Sequence, residues 1–173
     1  MESNEKEFYP ILKQAFQTYF TDQGFSCDFE ITARRRKSLE RFLGHKAILL
    51  KHRKELPLPD LMGFIWRPPK AECKLVVAEF KPSPKYRSIF QIRGYDELFE
   101  PDLAYLVGAQ SISESSMSTI EFIRSNTELL KSRGGESTIY PKVLFRTSEG
   151  IMTMMVLGSE GDLPDDHEKL LRY

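Results

Sequence analysis

The run Leu75-Val-Val-Ala-Glu-Phe-Lys81 carries two charges in a setting that favours none. Five of the six residues from Leu75 to Phe80 are apolar, as in a strand buried on both faces, yet Glu79 interrupts the run and Lys81 follows it. Side chains alternate along a strand, so Glu79 and Lys81 fall on the same side of the sheet. Burying an unpaired carboxylate or ammonium is costly, so the two must pair with each other, bind something, or lie at an open strand end. Asp60 follows Pro59 directly, at the entrance to the preceding strand-like run, where it can meet Glu79 across a hairpin. Two carboxylates and an ammonium would then converge. The simpler reading is a polar edge with a strand-end ion pair; the more consequential one is a site for a charged ligand.

Periodicity outlines the elements that must position these residues. Phe8, Ile11, Leu12, Ala15, Phe16, Tyr19 and Phe20 recur at helical intervals, which predicts an amphipathic helix over Glu7 to Phe20, closed by Gly24. Alternation in Phe25 to Ala33 predicts a strand. Leu39, Phe42, Leu43, Ala47 and Leu50 suggest a basic helix, which Gly44 weakens, before Pro57 and Pro59 favour extended backbone ahead of Asp60. Leu61 to Arg67 and Lys74 to Lys81 read as a hairpin turning at Pro68, Pro69 and Lys70, with Pro82 ending the second strand early. Helical spacing returns over Ser88 to Phe99 and stops at Pro101. Leu103 to Val107 reads as a buried strand, Ser118 to Arg133 as a helix stopped by Gly134-Gly135, and Val143 to Phe145 with Ile151 to Leu157 as a closing hairpin. This order predicts an α/β fold, a mixed sheet flanked by helices, in a single domain over residues 1–173.

Gln91 and Tyr95, in Gln91-Ile-Arg-Gly-Tyr95, are four apart and share a helix face; their simpler reading is a polar cap and a core aromatic. Pro59-Asp60, followed on the next strand by Glu79-Phe80-Lys81, resembles the signature of the PD-(D/E)XK nuclease superfamily, whose fold is restriction-endonuclease-like. Gln91 and Tyr95 resemble the Q-x-x-x-Y helix of its RecB-like branch. The resemblance covers the elements from Glu7 to Val107, about two-thirds of the chain. It implies metal-dependent hydrolysis of phosphodiester bonds in DNA, with Mg2+ or Mn2+ held by Asp60, Glu79 and the backbone carbonyl of Phe80. Lys81 would orient or deprotonate the attacking water, or stabilise charge on phosphate oxygens, and Gln91 and Tyr95 would look back at the site. Glu7 resembles an acidic position on the first helix of several branches, a further candidate ligand; its simpler reading is an acid complementing a helix dipole.

A formal net charge of zero hides a strong asymmetry. Between Arg34 and Lys54 stand Arg34, Arg35, Arg36, Lys37, Arg41, Lys46, Lys51, Arg53 and Lys54 against Glu40 alone, while acids gather near the start and in a tail over residues 159–173. Such a stretch can attract phosphates or be a solvated helix face. Arg34, Arg35, Arg36 and Lys37, with Lys85, Arg87 and Arg93 near the candidate site, are the candidate nucleic-acid contacts. The superfamily often needs only a short turn between the first and second strands, so the basic insertion at 34–54 defines either substrate or oligomer contacts such as a homodimer. An acidic, polar start and the lack of a long apolar run predict no membrane partner and a cytoplasmic location. Cys27 and Cys73 are read as small buried hydrophobes and Trp66 as core. Phosphate-loop, dinucleotide and nucleophile-elbow motifs are absent from the sequence, which argues against ATP use, dinucleotide chemistry and serine hydrolysis. The reading from another class is a catalytically inactive nuclease-fold module that binds nucleic acid or a protein partner; the intact Asp60, Glu79 and Lys81 set favours the enzyme.

Overall fold

Leu12, Phe16 and Phe20, four residues apart, are fully buried along one face of α1 (Glu5–Asp22), the helix that the apolar spacing predicts. The computed structural model describes residues 5–33, 36–44, 58–69, 72–111, 121–122, 125–130, 139–146 and 152–156. Gly24, at φ +81°, adopts the left-handed conformation that lets the chain leave α1 and enter β1 (Ser26–Ile31). There follow α2 (Arg36–Leu43), β2 (Leu61–Trp66), β3 (Cys73–Phe80), α3 (Tyr86–Phe99), β4 (Leu103–Ser111), β5 (Ile139–Arg146) and β6 (Met152–Val156).

The six strands lie side by side in chain order. β1 to β3 are joined antiparallel, β3 to β4 and β4 to β5 run parallel, and β6 returns antiparallel to β5. This is the α/β mixed sheet flanked by helices that the sequence predicts. The parallel step from β3 to β4 is bridged by α3, as parallel neighbours require a crossover.

Alternation along the strands divides the core. Val76, Ala78, Phe80, Tyr105, Tyr140 and Leu144 join α1 through Leu12, Phe16 and Phe20. Val77, Met62, Ala104 and Leu106 lie on the opposite face, against Ile89, Ile92, Tyr95 and Phe99 of α3 and Phe42 and Leu43 of α2. Gly63 allows the β1–β2 pair to close, since a Cβ there would run into the Phe29 ring.

Several expectations are corrected. α2 ends at Leu43, because Gly44 turns at φ +51° and its N–H donates to the Glu40 carbonyl; Ala47 and Leu50 lie outside the described residues. In the segment expected to be helical to Arg133, Glu121, Phe122 and Ser125 are helical, but Thr127–Leu130 tightens into a 3-10 turn. There Asn126 donates its side-chain amide to the Phe122 carbonyl at 2.7 Å, and its own carbonyl accepts the Leu129 N–H, so the backbone closes three residues on. Residues 118–120, 123–124 and 131–133 of that segment lie outside the described residues. Cys73 is exposed and Cys27 and Trp66 are half-buried, because both cysteines and the tryptophan sit at the far ends of β1 to β3, away from the buried strand ends. No helix among the described residues is long and apolar enough to cross a membrane.

Candidate active site

Asp60 stands one step beyond Leu61, whose β3 partner is Ala78, so the same register sets Asp60 opposite Glu79. Both carboxylates are buried, at 4% and 1% exposure. The entrance to β2 is pinned from the end of β1: the Thr32 hydroxyl donates to the Pro59 carbonyl at 2.6 Å, and the Thr32 N–H donates to the Asp60 carbonyl at 3.0 Å. Asp60 Oδ2 in turn accepts the Phe80 N–H at 2.8 Å, a charge-assisted bond that joins the two strands.

Lys81 Nζ lies 3.1 Å from Glu79 Oε1, with the lysine 23% exposed. Alternation therefore puts these side chains together as the sequence predicts. Pro82 follows, yet Lys81 stays tied to the sheet because its N–H donates to the Val107 carbonyl at 2.9 Å. Two carboxyl groups and one amine thus share a setting where an ion is poorly solvated.

α3 brings the second pair. Gln91 Nε2 donates to the Tyr95 hydroxyl at 2.9 Å, and Tyr95 is buried. Burial pushes the Tyr95 phenol far above its ordinary range; Glu79 adds to this, the Gln91 hydrogen bond opposes it, and Asp60 and Tyr9 add smaller contributions. The phenol is therefore within electrostatic reach of both carboxylates. It stays protonated at any ordinary pH, and because it accepts from Gln91 it keeps its own proton to donate. Tyr95 is thus a core aromatic, stacked on Phe99, and its hydroxyl is bonded to Gln91.

The first turns of α1 border the same strand end, where the Phe8 and Phe80 rings lie 5.1 Å apart. Tyr9 belongs to this neighbourhood through its effect on Tyr95, and periodicity does not single it out. Glu7 is exposed. Among the described residues no group of three or more His, Cys, Asp or Glu side chains is gathered around one point. Paired carboxylates and the Phe80 carbonyl are hard oxygen donors, and a divalent cation that keeps several waters needs only one or two protein carboxylates.

Of the candidate phosphate contacts, Lys85 and Arg87 are exposed at the start of α3 and Arg93 is half-buried on it. Arg34 and Arg35 lie outside the described residues, and of Arg36 and Lys37 the backbone alone is described, in the first turn of α2. Arg41 forms ion pairs with Asp28 and Glu30 of β1. Counting charge within Arg34 to Lys54 misses these acids because they come from a neighbouring element.

Lys142, which the periodicity also passes over, lies on the α1 face, between Tyr140 and Leu144 on β5, and is completely buried. Its Nζ sits 3.2 Å from the Tyr19 ring centroid and 4.8 Å from that of Tyr105. Burial drives its pKa well below the ordinary lysine value. The chain matches no family model, and a search of curated proteins finds no significant relative.

Proposed function

We propose that the chain is a metal-dependent nuclease that hydrolyses phosphodiester bonds in DNA, and that Asp60 and Glu79 hold the cation, Mg2+ or Mn2+, with the Phe80 carbonyl. The observation that carries this reading is the pair of buried carboxylates set opposite each other by the β2–β3 register, with one ammonium beside them. Such a donor set suits a hard divalent ion. When bound, the metal would polarise the phosphate and acidify a coordinated water.

The remaining work falls to the chain itself. Asp60 is held by the Phe80 amide, so its orientation is fixed before any ligand arrives. Lys81, on the solvent side of Glu79, is placed to orient the attacking water or to stabilise charge on phosphate oxygens. Tyr95 remains protonated and so keeps a proton to offer within the site, with Gln91 fixing its hydroxyl. Lys85 and Arg87 offer charge to the strand that enters, and cytoplasmic action on nucleic acid is part of the same reading.

A nuclease assay over single-stranded, duplex and branched DNA and over RNA tests the proposal, run with magnesium, manganese and excess EDTA. Cutting of DNA that requires either metal is expected. Binding without cutting in every metal would instead favour the inactive nuclease-fold module.

A further inference from the structure

Tyr86 and Phe90 are the two most exposed large hydrophobic side chains among the described residues, at 58% and 61%. Being four apart on α3, they lie one above the other on the same face. The next position in that row is Gly94, where an added Cβ would meet nothing within 4 Å, so the row runs on into open space. One position round the helix lies the row Arg87, Gln91 and Tyr95, which leads from the surface to the carboxylates. The Tyr86 ring is held edge-on against Phe122, 5.5 Å between centroids, and is therefore oriented as well as exposed.

Charge along the chain that leads from β3 into α3 is one-sided. From Phe80 to Tyr95 the sixteen residues include Lys81, Lys85, Arg87 and Arg93 and no acid. Exposed rings among cations, with no carboxylate interleaved, match a polymer that offers flat apolar faces and a regular anionic backbone. Bases in a duplex are stacked on one another and withhold those faces; unpaired bases present them.

The geometry points to Phe90 and Tyr86 as a stacking platform for unpaired bases, which makes a single strand, or the frayed or branched single-stranded part of a duplex, the substrate delivered to Asp60 and Glu79. This rests on the nuclease reading for what happens at the carboxylates, while the platform itself is tested by binding alone.

The experiment measures affinity by fluorescence anisotropy in calcium for three probes: a single-stranded oligonucleotide, the same backbone carrying abasic sites, and a duplex. The wild type is compared with Phe90→Ala, Tyr86→Ala and Phe90→Trp, with melting temperatures recorded for each. Phe90→Ala should weaken single-strand binding by about fivefold to a hundredfold, and Phe90→Trp should restore it. Both should leave the melting temperature, the abasic probe and the duplex nearly unchanged. Wild-type affinity of Phe90→Ala for the single strand, or an equal loss on the abasic probe, would overturn the platform. So would a change confined to the oligomeric state, which would assign the face to a second copy of the chain. DNA cutting that proceeds normally in Phe90→Ala with unchanged single-strand affinity would remove the platform and leave the nuclease reading standing, whereas failure of the wild type to bind any of the probes would remove both.

Discussion

Asp60 and Phe80 are joined across the β2–β3 pair by a bond from the Phe80 amide to the Asp60 carboxylate, 2.8 Å long and buried. A side chain offered as a metal ligand thus also satisfies a buried backbone donor. Removing it has two separable effects. Asp60→Ala should abolish cutting and also destabilise the fold by about 1–3 kcal/mol, because the Phe80 N–H is left without its acceptor. Asp60→Asn retains an acceptor oxygen, so it should melt close to wild type while still failing to cut. Denaturant unfolding alongside cleavage checks both.

Gln91→Ala and Tyr95→Phe should slow turnover more than they lower stability. Tyr95→Phe removes only a hydroxyl, and burial, Glu79 and Asp60 hold that hydroxyl protonated. The alkaline limb of the pH–rate profile should therefore keep its midpoint in Tyr95→Phe while the plateau falls. A shifted midpoint would mean that Tyr95 itself titrates in the reaction.

Lys142 provides a prediction about stability. Its pKa is lowered in the folded protein by burial, so below the ordinary lysine pKa the unfolded chain binds a proton that the folded chain resists. Its unfavourable contribution therefore grows as pH falls from the unfolded value to the folded one and is constant below that. Lys142→Met, close in volume and without a charge, should stabilise the protein at neutral pH and flatten the dependence of stability on pH. Equal slopes for the two proteins between neutral and alkaline pH would contradict the buried amine.

Two glycines should respond in opposite directions. Gly94→Ala on the open face of α3 should stabilise by roughly 1 kcal/mol through helix propensity. Gly63→Ala should destabilise by about 1–3 kcal/mol, since the new methyl would meet the Phe29 ring and the Asp28 carbonyl. Thermal unfolding of the two variants settles the signs.

The hairpin that carries the carboxylates was legible in the sequence because short, nearly continuous apolar runs mark buried strands, and the charges that interrupt one of them, Glu79 and Lys81, are two apart. The Asp60 position followed from the same register. Thr32, Tyr9 and the Arg41 ion pairs were not legible, because each depends on which elements become neighbours, and local spacing does not record that. Lys142 escaped for a related reason. A strand reading that begins at Val143 omits Ile139 to Lys142, and only pairing with β4 shows that the strand starts at Ile139. Tyr86 lies before the predicted helix start at Ser88, and the exposure of Phe90 becomes visible only once α3 has chosen its buried face.

The basic segment can be tested separately from chemistry. Replacing Arg34, Arg35 and Arg36 with glutamine should weaken DNA binding almost independently of sequence and reduce the log–log salt slope by about one unit per lost phosphate contact. Cutting at saturating DNA should survive. An unchanged slope would assign backbone contacts to Lys85, Arg87 and Arg93 instead.

The most direct test of the central claim is single-turnover cleavage of DNA as Mn2+ is raised, comparing the wild type with Glu79→Gln at matched folded fraction. Glutamine keeps the shape of Glu79 and removes its charge, so the proposed cation would lose one of its two carboxylates and Lys81 the ion pair to Glu79. The wild-type rate should rise with metal and saturate, and Glu79→Gln should show no cutting above background across the same range. Wild-type rates in Glu79→Gln, or cutting that persists in excess EDTA, would contradict a metal held by Asp60 and Glu79.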